Sequence, residues 1–239
     1  GVLFFLNPVS IIITGFHNQF DNIAVLFALI SVFFIQKSTD SSSKNIGKND
    51  FLSVLFLTLS IITKHILFIF PLWILFNKNL DLRRKLYYAF IPPSVFLLTF
   101  IPYLAKGADG ILNNVFLYKS FNNMPIFFGL QTLLPELAKC FFPIFIVMMV
   151  LSGFVFKKYP IDRLILVYFL CLVCFSSAIA NQYVVIPLVS LFLFDYFEKY
   201  YYVIWNTIYL ILHIHGLNLL SAIPLSSPLF AISEVVVLF

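Results

Sequence analysis

The feature that most constrains this chain is a 26-residue apolar stretch, residues 51–76, whose one formal charge is Lys64. Several similar stretches follow, so that 62% of the 239 residues are hydrophobic and 10% are charged. A soluble domain carries about 25% charged residues. A chain this apolar cannot cover itself with polar surface, so its solvent must be lipid. Soluble enzymes, nucleic-acid binders and disordered proteins are thereby excluded.

The predicted fold class is all-α, a multi-pass transmembrane helical bundle, with residues 1–239 forming a single membrane-embedded domain. A polar, Ser-rich flexible loop is expected at 36–50, and a long loop lying partly in the membrane interface as an amphipathic segment at 105–140. The chain begins at Gly1 without Met and ends within an apolar run, so we expect a fragment truncated at both ends. Apolar runs of near-spanning length predict membrane spans at residues 20–35, 86–104, 141–156, 164–180, 184–197 and 200–213.

Residues 51–76 could form one long span or a short helical hairpin with Lys64 at its tip. Because a lysine at the bilayer centre is costly, the two topologies can be separated by their charges. A single span puts six cationic residues inside and eight outside. The hairpin puts three outside besides Lys64, namely Lys106, Lys119 and Lys139. It puts eleven inside: Lys37, Lys44, Lys48, Lys78, Arg83, Arg84, Lys85, Lys157, Lys158, Arg163 and Lys199. The positive-inside rule therefore favours the hairpin.

In that topology all of the candidate site residues gather at the extracytoplasmic face, together with the 105–140 loop. His17, Gln19 and Asp21 precede or open a span and supply an imidazole, an amide and a carboxylate. The simpler alternative is that Asp21 caps the following helix. Lys64 and His65 could bind a phosphate near the interface, or the lysine could simply snorkel to lipid headgroups.

Other motifs give weaker indications. Asn181, Gln182 and Tyr183 occupy a tight turn that also suits an ordinary interfacial tyrosine. Cys171 and Cys174 fall inside an apolar run, where cysteine behaves as a small hydrophobe. No metal site, cofactor or disulfide framework is expected, since the sequence has no zinc spacing, no glycine-rich phosphate loop and three cysteines in all.

Three motifs resemble those of the polytopic C-type glycosyltransferases, in particular the polyprenyl-phosphate-sugar mannosyltransferase-like proteins of bacteria and archaea. Asn7-Pro8 followed by residues 17–21 (HNQFD) resembles the family pattern N-P…H-G-Q-F-D. Residues 60–65 (SIITKH) with Pro71 are similar to the S-x-x-x-K…P helical hairpin of the family. Gln182-Tyr183 with Pro187 resembles its Q-Y-x-x-x-P turn. These matches cover about residues 1–190 in the family's order, although Asn18 replaces the usual glycine.

The resemblance implies an integral-membrane enzyme, an inverting hexosyltransferase. Its donor would be a polyprenyl- or dolichyl-phosphate sugar, with mannose or glucose as the sugar. Its acceptor would be a lipid-linked glycan or a protein, reached on the extracytoplasmic side. The catalytic carboxylate is expected in a loop upstream of Gly1. Donor-binding roles are implied for His17, Gln19, Asp21, Lys64, His65, Gln182 and Tyr183.

Two other functions stay open. A membrane transporter or lipid flippase also suits an apolar bundle with polar residues at one face, although no internal repeat is visible in the sequence. A structural subunit without activity is the third possibility. The expected location is the plasma membrane in a prokaryote or the endoplasmic reticulum in a eukaryote, with membrane lipids as partners and no nucleic acid.

Overall fold

The structure is a computed structural model that describes residues 6, 8, 9, 11, 21–40, 45–116, 140–175, 181–194 and 196–212. Within these ranges the regular structure is helical and no strand occurs. From residue 21 onward, the α-helices of the described residues are α1 (Asp21–Thr39), α2 (Lys48–Thr63), α3 (Phe70–Phe76), α4 (Leu82–Leu98), α5 (Leu104–Ile111), α6 (Phe141–Val155), α7 (Ile161–Phe175), α8 (Val185–Leu193) and α9 (Lys199–Leu212).

The chain divides into two compact units. The α1–α5 unit comprises Phe20–Lys119 and Val150–Ile165, and the α8–α9 unit comprises Gly1–Gln19, Ser120–Met149 and Leu166–Phe239. Helices α6 and α7 each contribute residues to both units.

Hydroxyl groups fix an antiparallel register between α1 and α2. Ser60 Oγ donates to the carbonyl oxygen of Ala24 at 2.6 Å, and the hydroxyls of Ser31 and Ser53 share a hydrogen bond at 3.0 Å. Ser38 Oγ donates to Asp50 Oδ1 at 2.5 Å at the other end of the pair. Serines suit this position because their small side chains allow close helix approach and their hydroxyls find a partner across the contact.

The apolar stretch 51–76 is broken at Lys64, where the sequence predicts the tip of the hairpin. Helix α2 ends at Thr63, Lys64 is extended (φ −156°, ψ 127°), and a 3-10 turn follows at His65–Leu67. The direction of the chain changes by 119° between Lys48–Thr63 and His65–Phe76. Pro71 lies in the first turn of α3, where its missing N–H costs no helical hydrogen bond.

Among the described residues, Asn22–Thr39 and Leu82–Phe116 are long and apolar enough to cross a membrane, and the bent pair would make a third such segment. Two expectations need correction here. The loop expected at 105–140 is helical over residues 105–116, where α5 and a π turn at Leu112–Phe116 follow α4, and residues 117–139 lie outside the described residues. Within the described residues of the span expected at 184–197, the α-helix is the nine-residue α8, which rises about 14 Å and is shorter than the hydrocarbon core.

The flexible loop expected at 36–50 also needs correction. Helix α1 continues to Thr39 and α2 begins at Lys48, so both ends of the segment are helical. Ser38 is 2% exposed and Asp50 is 1% exposed. Two polar residues assigned to solvent therefore lie in the interior of the α1–α5 unit.

The α8–α9 unit has an apolar core around Tyr202. Its hydroxyl donates to the carbonyl oxygen of Val184 at 2.8 Å, which links α9 to the start of α8. The core cluster consists of Val9, Leu166, Leu170, Val173, Val184, Val185, Leu188, Leu191 and Tyr202.

Candidate functional site

Lys64 and His65 form the polar break between two apolar helices. Lys64 is half-buried, and its backbone N–H donates to the carbonyl oxygen of Ser60 at 3.0 Å, which closes the last turn of α2. His65 begins the 3-10 turn and is exposed. An ammonium group and an imidazole on consecutive residues can together contact one phosphate group.

Asp21 lies at the same end of the helix pair as Lys64. The register places Ala24 of α1 against Ser60 of α2. Asp21 is three residues before Ala24, and Lys64 is four residues after Ser60, so both lie about one turn beyond that contact. The antiparallel packing therefore brings the first residue of α1 and the end of α2 to one end of the α1–α5 unit, which we call the Lys64 end.

The remaining predicted site residues lie elsewhere in the chain. His17 and Gln19 fall outside the described residues. Gln182 and Tyr183 belong to the α8–α9 unit, in the 3-10 turn Asn181–Val184 that leads into α8. Tyr183 is half-buried and packs against the core of that unit. Pro187 lies in the first turn of α8, where proline is tolerated.

The opposite end of the α1–α5 unit contains a buried polar cluster, which sequence reasoning did not single out. Asp50 accepts hydrogen bonds from four donors: Ser38 Oγ, the N–H of Gly47 at 2.8 Å, Arg84 Nε at 3.1 Å and the Tyr88 hydroxyl. These contacts connect the last turn of α1 with the first turn of α2 and the first two turns of α4.

The charges of this cluster are largely compensated internally. Arg84 is 7% exposed, and its Nη1 also contacts Asp81 Oδ2 at 3.3 Å. Asp81 caps α4 by accepting from the Arg84 N–H at 3.1 Å. A buried carboxylate with four donors and an adjacent guanidinium is satisfied by the protein itself. We therefore assign this cluster to structure rather than to binding.

A sequence signal for the cluster does exist. Asp81, Arg84 and Tyr88 are spaced three and four residues apart, which puts them on one face of a helix. Asp50 is the third residue of α2, where a carboxylate can bond back to the N–H of the capping residue Gly47. The sequence interpretation instead counted Arg84 among the cations of the cytoplasmic loops.

No group of three or more His, Cys, Asp or Glu residues that could hold a metal occurs within the described part of the chain. Comparison with protein families, with characterised proteins and with solved structures finds no match to this chain. An assignment of function therefore depends on the residues themselves and on the motifs that they form.

Proposed function

We propose that this chain belongs to an integral-membrane glycosyltransferase of the C type. It would transfer a hexose from a polyprenyl-phosphate donor to a lipid-linked glycan or a protein. The observation that supports the proposal most is the break at Lys64. Lys64 and His65 belong to the motifs that resemble those of the glycosyltransferase family. They lie between apolar helices, at the same end of the α1–α2 pair as Asp21.

In the proposed reaction, an acceptor oxygen or nitrogen attacks the anomeric carbon while the bond from that carbon to the phosphate oxygen breaks. The acceptor proton passes to a carboxylate base, which the resemblance expects upstream of Gly1. Negative charge grows on the leaving phosphate. Lys64 would stabilise that charge as a point cation, and His65 would add a hydrogen bond. The resemblance also implies donor-binding roles for His17, Gln19, Asp21, Gln182 and Tyr183.

The proposed orientation puts the Lys64 end outside the cytoplasm. The polyprenyl tail of the donor would then lie among the apolar side chains of the membrane domain, with its phosphate at headgroup depth. This arrangement explains why one lysine suffices, because a point charge near the interface can hold a phosphate whose lipid tail is already anchored.

A labelled-donor assay tests the proposal. Membranes that contain the intact protein would be incubated with polyprenyl-phosphate [³H]mannose or [³H]glucose, and the label would be followed into glycolipid and protein. We expect covalent transfer with at least one of the two sugars, against membranes that lack the protein. Absence of transfer with both sugars would contradict the proposal.

A transporter or lipid flippase is the second candidate, favoured by the buried ion pair between Asp50 and Arg84, because ionisable groups inside membrane bundles often mark translocation paths. The position of Asp50 in the first turn of α2, near a helix end rather than at mid-depth, weighs against it. In the same assay, donor that moves to the opposite leaflet with its sugar–phosphate bond intact would support this candidate instead.

A further inference from the structure

Two turns that are distant in sequence are joined by hydrogen bonds at the Asp50 end of the α1–α5 unit. The N–H of Lys78 donates to the carbonyl oxygen of Lys157 at 2.7 Å. Asn77 Nδ2 donates to the carbonyl oxygen of Tyr159 at 2.8 Å, and Asn79 Nδ2 donates to the same oxygen at 3.0 Å. The turn after α3 and the turn after α6 therefore form one continuous surface.

This surface gathers positive charge. The two turns and the start of α4 carry five cationic side chains, which we call the basic surface: Lys78, Arg83, Lys85, Lys157 and Lys158. Of the nearby acidic residues, Asp50 and Asp81 are already engaged by Arg84. Within the described part of the chain, no ion pair joins any of the five to a carboxylate. Asp162 and Arg163 follow in the first turn of α7 and add no net charge.

Lysine–aromatic contacts occur at this end of the unit. The Lys157 ammonium lies 3.3 Å from the ring centroid of Phe154, and Phe154 is 54% exposed. Lys37, one residue before the Ser38 that binds Asp50, lies 4.6 Å from the ring centroid of the exposed Phe33. A lysine folded over an exposed aromatic ring at a helix end is typical of the level at which hydrocarbon gives way to headgroups.

We propose that the basic surface binds the phosphate headgroups of anionic lipids in the adjacent leaflet. Its cations stand beside exposed apolar side chains, including Leu82, which is 68% exposed and next to Arg83. An anionic lipid can contact the cations with its phosphate and the neighbouring apolar side chains with its acyl chains, whereas a soluble polyanion can contact only the cations. The inference goes beyond the glycosyltransferase proposal, and it requires only that the unit lies in a membrane.

Native mass spectrometry of the intact protein in detergent tests the inference, with dioleoyl phosphatidylglycerol and dioleoyl phosphatidylcholine as probes. We expect preferential retention of phosphatidylglycerol. Each Lys→Gln change at Lys78, Lys157 or Lys158 should weaken its apparent affinity about fivefold, since a surface cation contributes about 1 kcal/mol. The matched control is Lys106→Gln, an exposed lysine on α5 beyond the far end of α4, which should leave the preference unchanged.

Three results would overturn the inference. The first is equal retention of the two lipids by the wild type. The second is an unchanged preference in the triple variant Lys78→Gln/Lys157→Gln/Lys158→Gln, with a thermal midpoint equal to that of the wild type to show that it is folded. The third is displacement of phosphatidylglycerol by inorganic phosphate at equal concentration, which would identify a site for a soluble anion. Lys158→Arg should keep the preference, because it keeps the charge.

Discussion

Arg84 Nε lies 3.1 Å from Asp50 Oδ1, and both side chains are almost completely buried. Their positions are 34 residues apart in the chain, and the contact joins the first turn of α4 to the first turn of α2. Ser38 adds the last turn of α1 to the same carboxylate. One acidic side chain therefore holds three helix ends together.

Asp50→Ala should destabilise the protein strongly. The substitution leaves the buried Arg84 guanidinium without its main partner, and breaking one side of a buried ion pair costs about 3–5 kcal/mol. The free energy of unfolding, measured by SDS titration in mixed micelles, would report the loss.

The control is the double variant Asp50→Ala/Arg84→Met. Because the second change removes the uncompensated charge, it should recover part of the stability lost in Asp50→Ala. If Asp50→Ala unfolds at the same SDS fraction as the wild type, the cluster does not hold the three helix ends together.

Tyr88→Phe should lower the free energy of unfolding by about 1–3 kcal/mol. The change keeps the buried ring but removes the hydroxyl that donates to Asp50. The neighbouring Tyr87 is half-buried and offers a matched control. Tyr87→Phe should change stability by less than Tyr88→Phe, and equal effects in the same titration would contradict the role assigned to the Tyr88 hydroxyl.

Gly153→Ala should destabilise the contact between α6 and α3. A Cβ at this position would lie 2.7 Å from Cδ1 of Trp73, whose side chain is fully buried and cannot move aside. Overpacking of this kind costs about 1–3 kcal/mol. Gly107→Ala is the matched control, since a Cβ there meets nothing within 4 Å and alanine favours the helix. Thermal midpoints in detergent should fall for the first variant and stay level or rise for the second.

A cysteine pair tests the register between α1 and α2. The hydroxyl oxygens of Ser31 and Ser53 are 3.0 Å apart, so Ser31→Cys/Ser53→Cys should form a disulfide on mild oxidation. The background would carry Ala at Cys140, Cys171 and Cys174. Peptide mass spectrometry should find the linked pair for these positions but not for Ser31→Cys/Ser60→Cys, which the register keeps two turns apart. Efficient linkage of the mismatched pair alone would contradict the register.

The break at Lys64 could be predicted from the sequence. If the helix continued through residues 51–76, the lysine would lie near the centre of the bilayer, where a charge is costly. The burial of Ser38 and Asp50 could not be predicted in the same way. Both residues lie in a Ser-rich, charged segment whose composition is typical of a solvent-exposed loop. They are buried because Arg84 and Tyr88 of α4 contact Asp50, which in turn binds Ser38. The hydropathy of residues 36–50 contains no information about these distant partners.

The end of α8 shows a similar limit. Hydropathy continues past Leu193, so the sequence indicates a longer span, but the helix ends there and the chain turns before α9. Hydropathy reports what can lie in lipid, whereas the length of a helix also depends on its packing. In α8 that packing centres on Tyr202 of the neighbouring helix. Of residues 17–21, which the sequence predicts for the site, only Asp21 is described. The prediction that this segment lies near Lys64 is therefore supported by one observation, the position of Asp21 at the start of α1.

The most direct measurement of the central claim compares hexose transfer from a polyprenyl-phosphate donor by the intact wild-type protein with transfer by Lys64→Ala, Asp21→Asn and Lys64→Arg. We expect Lys64→Ala to lose at least about tenfold in kcat/KM, a loss equivalent to one charged contact with the donor phosphate. Lys64→Arg should retain part of the activity, and Asp21→Asn should be impaired. The control Lys106→Ala should transfer normally. Wild-type rates in both Lys64→Ala and Asp21→Asn would contradict the assignment of the Lys64 end as the donor site.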